Sequence, residues 1–386
     1  MVCNGSNVTN LTNMMLSFYY TELNENDSFL NEMNSFLKIR VLLAWSSLVI
    51  ILIGIVTNSV SCIAFLNPKT LSSTNIYLAS LCVCDSIALL GLIVNSTIYS
   101  QFIFYEFLEG IRFIMSLYPY IYPIIATSQI ACIYLTVSVS VNQFLFVAFS
   151  RGNELKNNRL LQKKDNIRAF IVVLLIIIIS IVFCVPYWFT FQYTNERGLE
   201  KTEVSKNVHF KNIVHLYLYL PFACVIPFLI LIFTNVYLVC TLESVSRRKR
   251  KISFKHKVMF NKSLTDSSGA NKNLVVIHDL KNAEAYSLKC KNEMKFEIKN
   301  KTLMLITVVC FFLVCQSPTL LLHLIESLQP QYKNHFYYAH LVEISKILLI
   351  INLSFNFAIF YLFSKKFRDS LKETIFKRKI NEPIVI

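Results

Sequence analysis

Four polar side chains stand inside otherwise apolar stretches, and they are the residues best placed to do chemistry. Asn58, Asp85, Asn352 and Asn356 each lie in a run of mainly hydrophobic residues. Away from water an acid is costly unless it has a partner, so such residues commonly mark ion or proton sites. We expect these four to form one polar network that holds a proton or a cation.

No motif indicates catalysis. The sequence contains no His-Glu-x-x-His, no Gly-x-Ser-x-Gly and no Gly-rich phosphate loop. Cys82 and Cys84 are separated by a single residue, which is not a metal-ligand spacing, so they are interpreted as small packing residues. The sequence therefore predicts no enzyme, no catalytic residue and no metal site.

The polar residues must be positioned by helices that cross a membrane. Hydrophobic residues make up 54% of the 386-residue chain and charged residues 16%. About 20 apolar residues cross a hydrocarbon layer of about 30 Å as an α-helix, which satisfies its own backbone hydrogen bonds. We predict an all-α membrane protein, a seven-transmembrane helix bundle with spans at 41–66, 75–98, 114–149, 168–191, 213–241, 302–327 and 337–363.

The distribution of charge predicts the orientation. The net charge is +15, and with the N-terminus outside, 29 of the 38 lysines and arginines fall on the cytoplasmic side. An excess of basic residues on that side is the general rule for membrane proteins. The basic charge thus indicates a multi-pass protein of the plasma membrane, in contact with the lipid bilayer, and not a partner of nucleic acid.

Three regions are predicted along the chain. Residues 1–40 form an extracellular N-terminus, and residues 41–363 form the seven-transmembrane domain, which includes a long basic third cytoplasmic loop at 243–301. Residues 364–386 form an amphipathic helix and a cytoplasmic tail. Four glycosylation sequons lie in the first region, at Asn4, Asn7, Asn10 and Asn26.

The start of the last region has a helical hydrophobic period. Phe363, Phe367, Leu371 and Ile375 recur every four residues among lysines and arginines. This spacing places them on one face of a helix, with the charges elsewhere. We therefore predict a short amphipathic eighth helix that lies along the inner leaflet of the membrane.

Several motifs resemble those of the rhodopsin-like G-protein-coupled receptors. Residues 75–85 are similar to the second-helix pattern of that family. Residues 315–318 (Cys-Gln-Ser-Pro) resemble the sixth-helix Cys-Trp-x-Pro bend, and 356–360 (Asn-Phe-Ala-Ile-Phe) the seventh-helix Asn-Pro-x-x-Tyr. The resemblance extends over residues 41–376.

The resemblance implies partners and moving parts. A heterotrimeric G protein is the expected cytoplasmic partner, and helix bends are expected at Pro227 and Pro318. A sodium ion beside Asp85 is the one cofactor that the resemblance allows. The mechanism expected is a two-state bundle in which an outside ligand favours one arrangement and the inner ends open.

A second set of motifs resembles one particular group of receptors within this family. Residues 118–123 (Tyr-Pro-Tyr-Ile-Tyr-Pro), 133–137, 185–189 and 352–357 are similar to segments of invertebrate FMRFamide-peptide receptors. This resemblance implies an extracellular peptide ligand, an amidated FMRFamide-like neuropeptide. Such a peptide carries a cation and an aromatic group, which an acid within an aromatic pocket would recognise.

The candidate ligand contacts combine these two chemistries. Glu343 has an alternative role, because Lys346 lies three residues further on and can pair with it. Tyr122 and Trp188 can equally be packing or membrane-interface residues. The full set of candidates is Tyr122, Gln129, Trp188, His323, Glu326 and Glu343.

Two departures from the family pattern are important. The third-helix Asp-Arg-Tyr, which meets the G protein, is here Asn142, Gln143 and Phe144. A neutral glutamine does not reproduce the charged fork of an arginine. Tyr118 stands about where the family has a disulfide-bonded cysteine, and residues 192–212 contain none. We therefore expect a less fixed exterior loop.

These departures leave two functions open. The first is a G-protein-coupled receptor for an amidated peptide. The second is a seven-helix decoy or chemosensory receptor that does not activate a G protein. A retinal pigment is not favoured, because Ile350 stands where opsins carry the Schiff-base lysine. A transporter is not favoured either, because no internal repeat is visible.

Overall fold

Helices make up most of the computed structural model, which describes residues 27–68, 71–94, 108–148, 159–241, 243–244, 300, 302–322, 324–325 and 336–378. The asparagines of the four sequons, His323, Glu326 and nearly all of the 243–301 loop lie outside these residues. The helices are α1 (Asp27–Phe65), α2 (Ser73–Leu92), α3 (Leu108–Ala148), α4 (Arg159–Cys184), α5 (Val208–Thr241), α6 (Thr302–Leu322), α7 (Phe336–Phe363) and α8 (Lys365–Arg378).

Helices α1 to α7 are long and apolar enough to cross a membrane, which confirms the predicted fold class. Several helices begin earlier than predicted. α1 begins at Asp27, within the region 1–40 that was assigned to the N-terminus. α3 begins at Leu108 instead of 114, α4 at Arg159 instead of 168, and α5 at Val208 instead of 213. Large apolar side chains such as Leu174 and Val182 are exposed on the outside of the bundle. Lipid is the solvent that suits such a surface.

The connection between α4 and α5 is a β-hairpin. It comprises β1 (Phe191–Thr194) and β2 (Gly198–Lys201), paired antiparallel. Gly198 adopts a φ of +73°, which suits glycine at the turn. A 3₁₀ turn at Val185–Phe189 leads into the hairpin, and a one-turn helix at Glu203–Lys206 follows it. We call this end of the bundle the hairpin end, and the opposite end the α8 end.

Packing among α1, α2 and α7 depends on a glycine. A Cβ placed on Gly54 would overlap the side chain of Ser354 and crowd Leu89. Small residues let membrane helices approach closely, which increases their van der Waals contact. The absence of a side chain at Gly54 therefore brings α1 and α7 together at the depth of the polar residues.

Helix α8 packs against the bundle. Phe367 and Leu371 are buried, and the Phe367 ring lies 5.0 Å from the ring of Phe65 on α1. The Ser370 hydroxyl donates to the carbonyl of Ala64 at 2.7 Å. The apolar face that was predicted to lie along the lipid is thus buried at these two positions, and at Phe367 it contacts α1. The periodicity alone cannot distinguish these two apolar surroundings.

Two prolines, Pro227 in α5 and Pro318 in α6, each leave a carbonyl without its backbone donor. In α5 the residues Asn212–Val225 are wound as a π-helix, in which each carbonyl accepts from the fifth residue on. The donor for Phe222 would be residue 227, and Pro227 has no N–H. The Tyr134 hydroxyl on α3 donates to the Phe222 carbonyl instead, at 2.7 Å.

Pro318 in α6 likewise leaves the carbonyl of Val314 without a backbone donor. In an α-helix the Val314 carbonyl accepts from residue 318, and Pro318 has no N–H. The Ser317 hydroxyl donates to this carbonyl at 2.9 Å. α6 continues as a helix from Thr302 to Leu322 through this site. Side-chain hydroxyls thus satisfy the backbone where a proline interrupts the ladder.

Candidate functional site

The polar centre is built around Asp85. Its carboxyl is 1% exposed, and each oxygen accepts a hydrogen bond from a different helix. Asn356 Nδ2 on α7 donates to Oδ2 at 2.8 Å, and Cys132 Sγ on α3 donates to Oδ1 at 3.1 Å. The carboxyl of Asp85 therefore joins α2, α3 and α7 at one point.

Asn58 connects the centre to the backbone of α7. Its Nδ2 donates to the carbonyl of Leu353 at 2.8 Å, while its Oδ1 has no partner among the residues that the structure describes. Asn352 is also buried, one helical turn before Asn356. The four predicted residues are thus all buried. Of the two hydrogen bonds that the Asp85 carboxyl accepts from Asn356 and Cys132, one comes from a predicted residue, Asn356.

Cys132 was not predicted to take part in this centre. Asn142 on α3 bonds to Thr74 on α2, which sets these two positions at the same depth. Ten residues separate Cys132 from Asn142 and eleven separate Asp85 from Thr74. At a rise of about 1.5 Å per residue, Cys132 and Asp85 each lie about 15 Å along their helices from the level of the Asn142–Thr74 hydrogen bond. This register follows from the tertiary contact between Asn142 and Thr74, so the sequence alone carried no signal for Cys132.

One of the two groups that donate to Asp85 is a thiol, which is a poor ligand for a sodium ion. A hard cation such as sodium prefers oxygen ligands, whereas a thiol is a soft and weak one. Both oxygens of the carboxyl already accept from protein donors, an amide and a thiol. Among the described residues there is also no group of three or more His, Cys, Asp or Glu that could hold a metal.

The three residues that replace Asp-Arg-Tyr contact three different helices at the α8 end. Asn142 Nδ2 donates to Thr74 Oγ1 on α2 at 3.1 Å. Gln143 Nε2 donates to Thr302 Oγ1 on α6 at 2.8 Å, and both of these residues are 1% exposed. The Phe144 ring meets Tyr237 on α5 at 4.8 Å. These contacts hold the ends of α2, α5 and α6 against α3.

Aromatic rings cluster at the hairpin end. Phe191 on β1 lies against both Tyr118 and Tyr122 of α3, with ring centroids 5.1 and 5.2 Å away. Tyr122 also meets Tyr187 at 5.7 Å, and Tyr187 meets Tyr219 on α5 at 6.4 Å. Of the predicted ligand contacts, Tyr122 belongs to this cluster. The cluster joins α3, α5 and the hairpin.

The other predicted ligand contacts have different surroundings. Gln129 is partly buried on α3, and Trp188 is 45% exposed in the 3₁₀ turn. Glu343 Oε1 accepts from Lys346 Nζ at 3.1 Å, which is the alternative pairing that the sequence allowed. His323 and Glu326 lie outside the described residues. The structure thus leaves the ligand role of these residues as a prediction.

Comparison with known proteins identifies the family. Residues 57–359 match the model of the 7 transmembrane receptor (rhodopsin family). The chain is similar to the probable G-protein coupled receptor frpr-1 of Caenorhabditis elegans, at 23% identity over 83% of this chain and 75% of that protein. It is also similar to the FMRFamide receptor of Drosophila melanogaster, at 23% identity over 85% of this chain and 53% of that protein.

The match runs from residue 57, near the end of α1, to residue 359, close to the end of α7, so it includes the whole of α2 to α6. The chain spans about half the length of the Drosophila receptor. Proteins of this family are receptors and not enzymes, which agrees with the absence of catalytic motifs in the sequence. With its seven membrane-spanning helices, the chain is a multi-pass membrane protein that belongs to the rhodopsin family of seven-transmembrane receptors.

Proposed function

We propose that this receptor binds an extracellular amidated peptide of the FMRFamide type and signals through heterotrimeric G proteins. The observation that carries the proposal is the aromatic cluster at the hairpin end, which joins Tyr118, Tyr122 and Phe191 to Tyr187 and Tyr219. Aromatic rings suit a ligand that offers both a cation and an aromatic group. The name of the similar Drosophila receptor supports the same ligand class.

The hairpin end is proposed to face the outside of the plasma membrane. In that orientation 29 of the 38 basic residues lie on the cytoplasmic side, as the positive-inside rule requires. The N-terminal sequons would then be on the side where glycosylation occurs. The α8 end, with Gln143 and Thr302, would meet the G protein in the cytoplasm.

The proposed mechanism is an opening of the α8 end. In the arrangement described here, the hydrogen bond between Gln143 and Thr302 holds α6 against α3. The proline sites on α5 and α6 lack backbone hydrogen bonds, so these helices can bend there at a lower cost. A ligand that binds the open arrangement more tightly would shift the population toward it, and the G protein would bind the open form.

Asp85 has a fixed structural role in this mechanism, and no cofactor is proposed. Its two hydrogen bonds connect α2 to α3 and α7 within the buried centre. A carboxyl that accepts from two helices resists their separation, because an unpaired buried acid is costly. The centre would therefore keep these three helices together while α6 moves.

One observation favours a second function, that of a receptor that binds ligand without activating a G protein. Gln143 is neutral and buried, and it stands where the family has the arginine that meets the G protein. An amide makes fewer hydrogen bonds than a guanidinium and carries no charge. A decoy or chemosensory receptor would tolerate this change.

An experiment on transfected cells separates the two functions. Peptide binding and G-protein activation are both measured against a library of amidated peptides, with the native chain and Gln143→Arg side by side. A peptide response from the native chain supports the signalling receptor. A response from the arginine variant alone supports the decoy, and peptide binding that produces no response in either would do the same. Absence of any peptide binding to either chain would contradict the peptide proposal.

A further inference from the structure

The exterior hairpin is held on α3 without a covalent bond. Residues 185–212 contain no cysteine, and Tyr118, ten residues after the start of α3, stands where the family has its disulfide-bonded cysteine. The nine cysteines within the described residues are all free. The structure nevertheless folds this segment into β1 and β2 and packs it against α3.

Phe191 makes the contact. It is the first residue of β1, and its ring stands nearly perpendicular to Tyr118, at 82°, and to Tyr122, at 89°. Edge-to-face pairs at these distances are favourable beyond the area that they bury. Tyr118 and Tyr122 are four residues apart and stack on each other at 5.6 Å, so they form one face of α3 for Phe191.

The base of the hairpin is closed by hydrogen bonds. Thr202 N donates to the Thr190 carbonyl at 3.2 Å, and the Thr202 hydroxyl donates to the Phe189 carbonyl. Gln192 and Glu200 bond across the strands at 2.9 Å. These bonds give the hairpin its shape, whereas Phe191 determines where the hairpin lies on the bundle.

We propose that Phe191, Tyr118 and Tyr122 form a noncovalent tether that replaces the missing disulfide and positions the hairpin over the hairpin end of the bundle. Ring contacts break and re-form through thermal motion, whereas a disulfide bond stays closed unless it is reduced or exchanged. The hairpin can therefore leave α3 without unfolding the helices. Resting on the function proposed above, this opening would also control how the peptide enters.

The test measures hydrogen–deuterium exchange of residues 191–201 in the purified full-length receptor without ligand. Phe191→Ala removes both ring contacts of the tether and should raise the exchange rates about tenfold, while Tyr118→Ala removes one of the two and should raise them about threefold. The double variant should exchange no faster than Phe191→Ala, because both changes remove the same contact.

The matched control is Tyr120→Ala. Tyr120 lies between the two tether tyrosines on α3, and its side chain is 61% exposed. Phe191→Leu serves as a second variant, which keeps an apolar side chain without the ring, should the alanine variant fold poorly. Thermal melting of each variant checks that the helices remain folded.

Equal exchange of residues 191–201 in Tyr118→Ala, Phe191→Leu and Tyr120→Ala would overturn the tether. This outcome does not depend on any ligand, so it is separate from a failure of the peptide proposal. If peptides activate the native receptor, the tether also predicts a changed peptide affinity in Phe191→Ala and an unchanged one in Tyr120→Ala.

Discussion

Replacing Thr302 by valine is expected to open the α8 end of the bundle. The change keeps the shape of the side chain and removes the hydroxyl that accepts from Gln143 Nε2 at 2.8 Å. Both residues are 1% exposed, so the amide of Gln143 would lose this partner inside the closed bundle. In an open arrangement the same amide reaches water. The substitution therefore destabilises mainly the closed arrangement.

The size of the effect follows from this burial. A buried donor that loses its partner costs about 1–3 kcal/mol. Free-energy differences of that size correspond to about a 5- to 150-fold change in an equilibrium constant. The ratio of open to closed receptors should rise by a factor in this range, and ligand-independent G-protein activation should rise with it if the receptor couples.

The assay has two readouts and one control. Hydrogen–deuterium exchange of the first turns of α6 reports opening whether or not a G protein is bound, and basal G-protein activation reports signalling. Thr307→Val is the control, because the Thr307 hydroxyl donates within its own helix to Leu303 at 2.9 Å. If Thr302→Val and Thr307→Val exchange at the same rate near residue 302, the hydrogen bond does not hold α6 closed and the reasoning fails.

Three further changes test other parts of the structure. The purified receptor should have the same melting temperature in sodium chloride and in choline chloride, whereas the melting temperature of Cys132→Ser should rise in sodium chloride. A higher melting temperature of the native chain in sodium chloride would show that sodium binds despite the thiol. Tyr134→Phe should cost about 1 kcal/mol, seen as a lower melting temperature, because the Phe222 carbonyl loses its donor; an unchanged melting temperature would show that water replaces the hydroxyl. Gly54→Ala should destabilise the receptor by about 1–3 kcal/mol through overlap with Ser354, and Ser354→Gly in the same chain should restore part of the loss; no recovery would place the strain elsewhere.

Much of the fold could be predicted because its signals are local. The seven helices follow from apolar stretches whose length matches a bilayer, and a helix in lipid needs no distant partner for its backbone. The α8 helix followed from a period of four residues, but the surface that its apolar face meets did not. Phe367 packs on Phe65 of α1, and Leu371 is buried, because the chain turns back toward the bundle after α7.

The sequence predicted which residues belong to the polar centre from their residue types, but it did not predict their hydrogen-bond partners. Asp85 and Asn356 stood out because acids and amides are rare among apolar residues, and the structure brings them to 2.8 Å. Cys132 did not stand out, because a cysteine in a helix is usually a small apolar residue. Its role as a hydrogen-bond donor depends on the register of α2 against α3.

The sequence by itself determined the seven-helix architecture and the places where it departs from its family, including Gln143 and the missing cysteine at Tyr118. Only the tertiary structure decided what these departures do. Gln143 bonds to Thr302, 159 residues further along the chain, and Phe191 packs against two tyrosines of α3. Such contacts join residues far apart in the chain, and their geometry depends on how the helices pack, which no local pattern records.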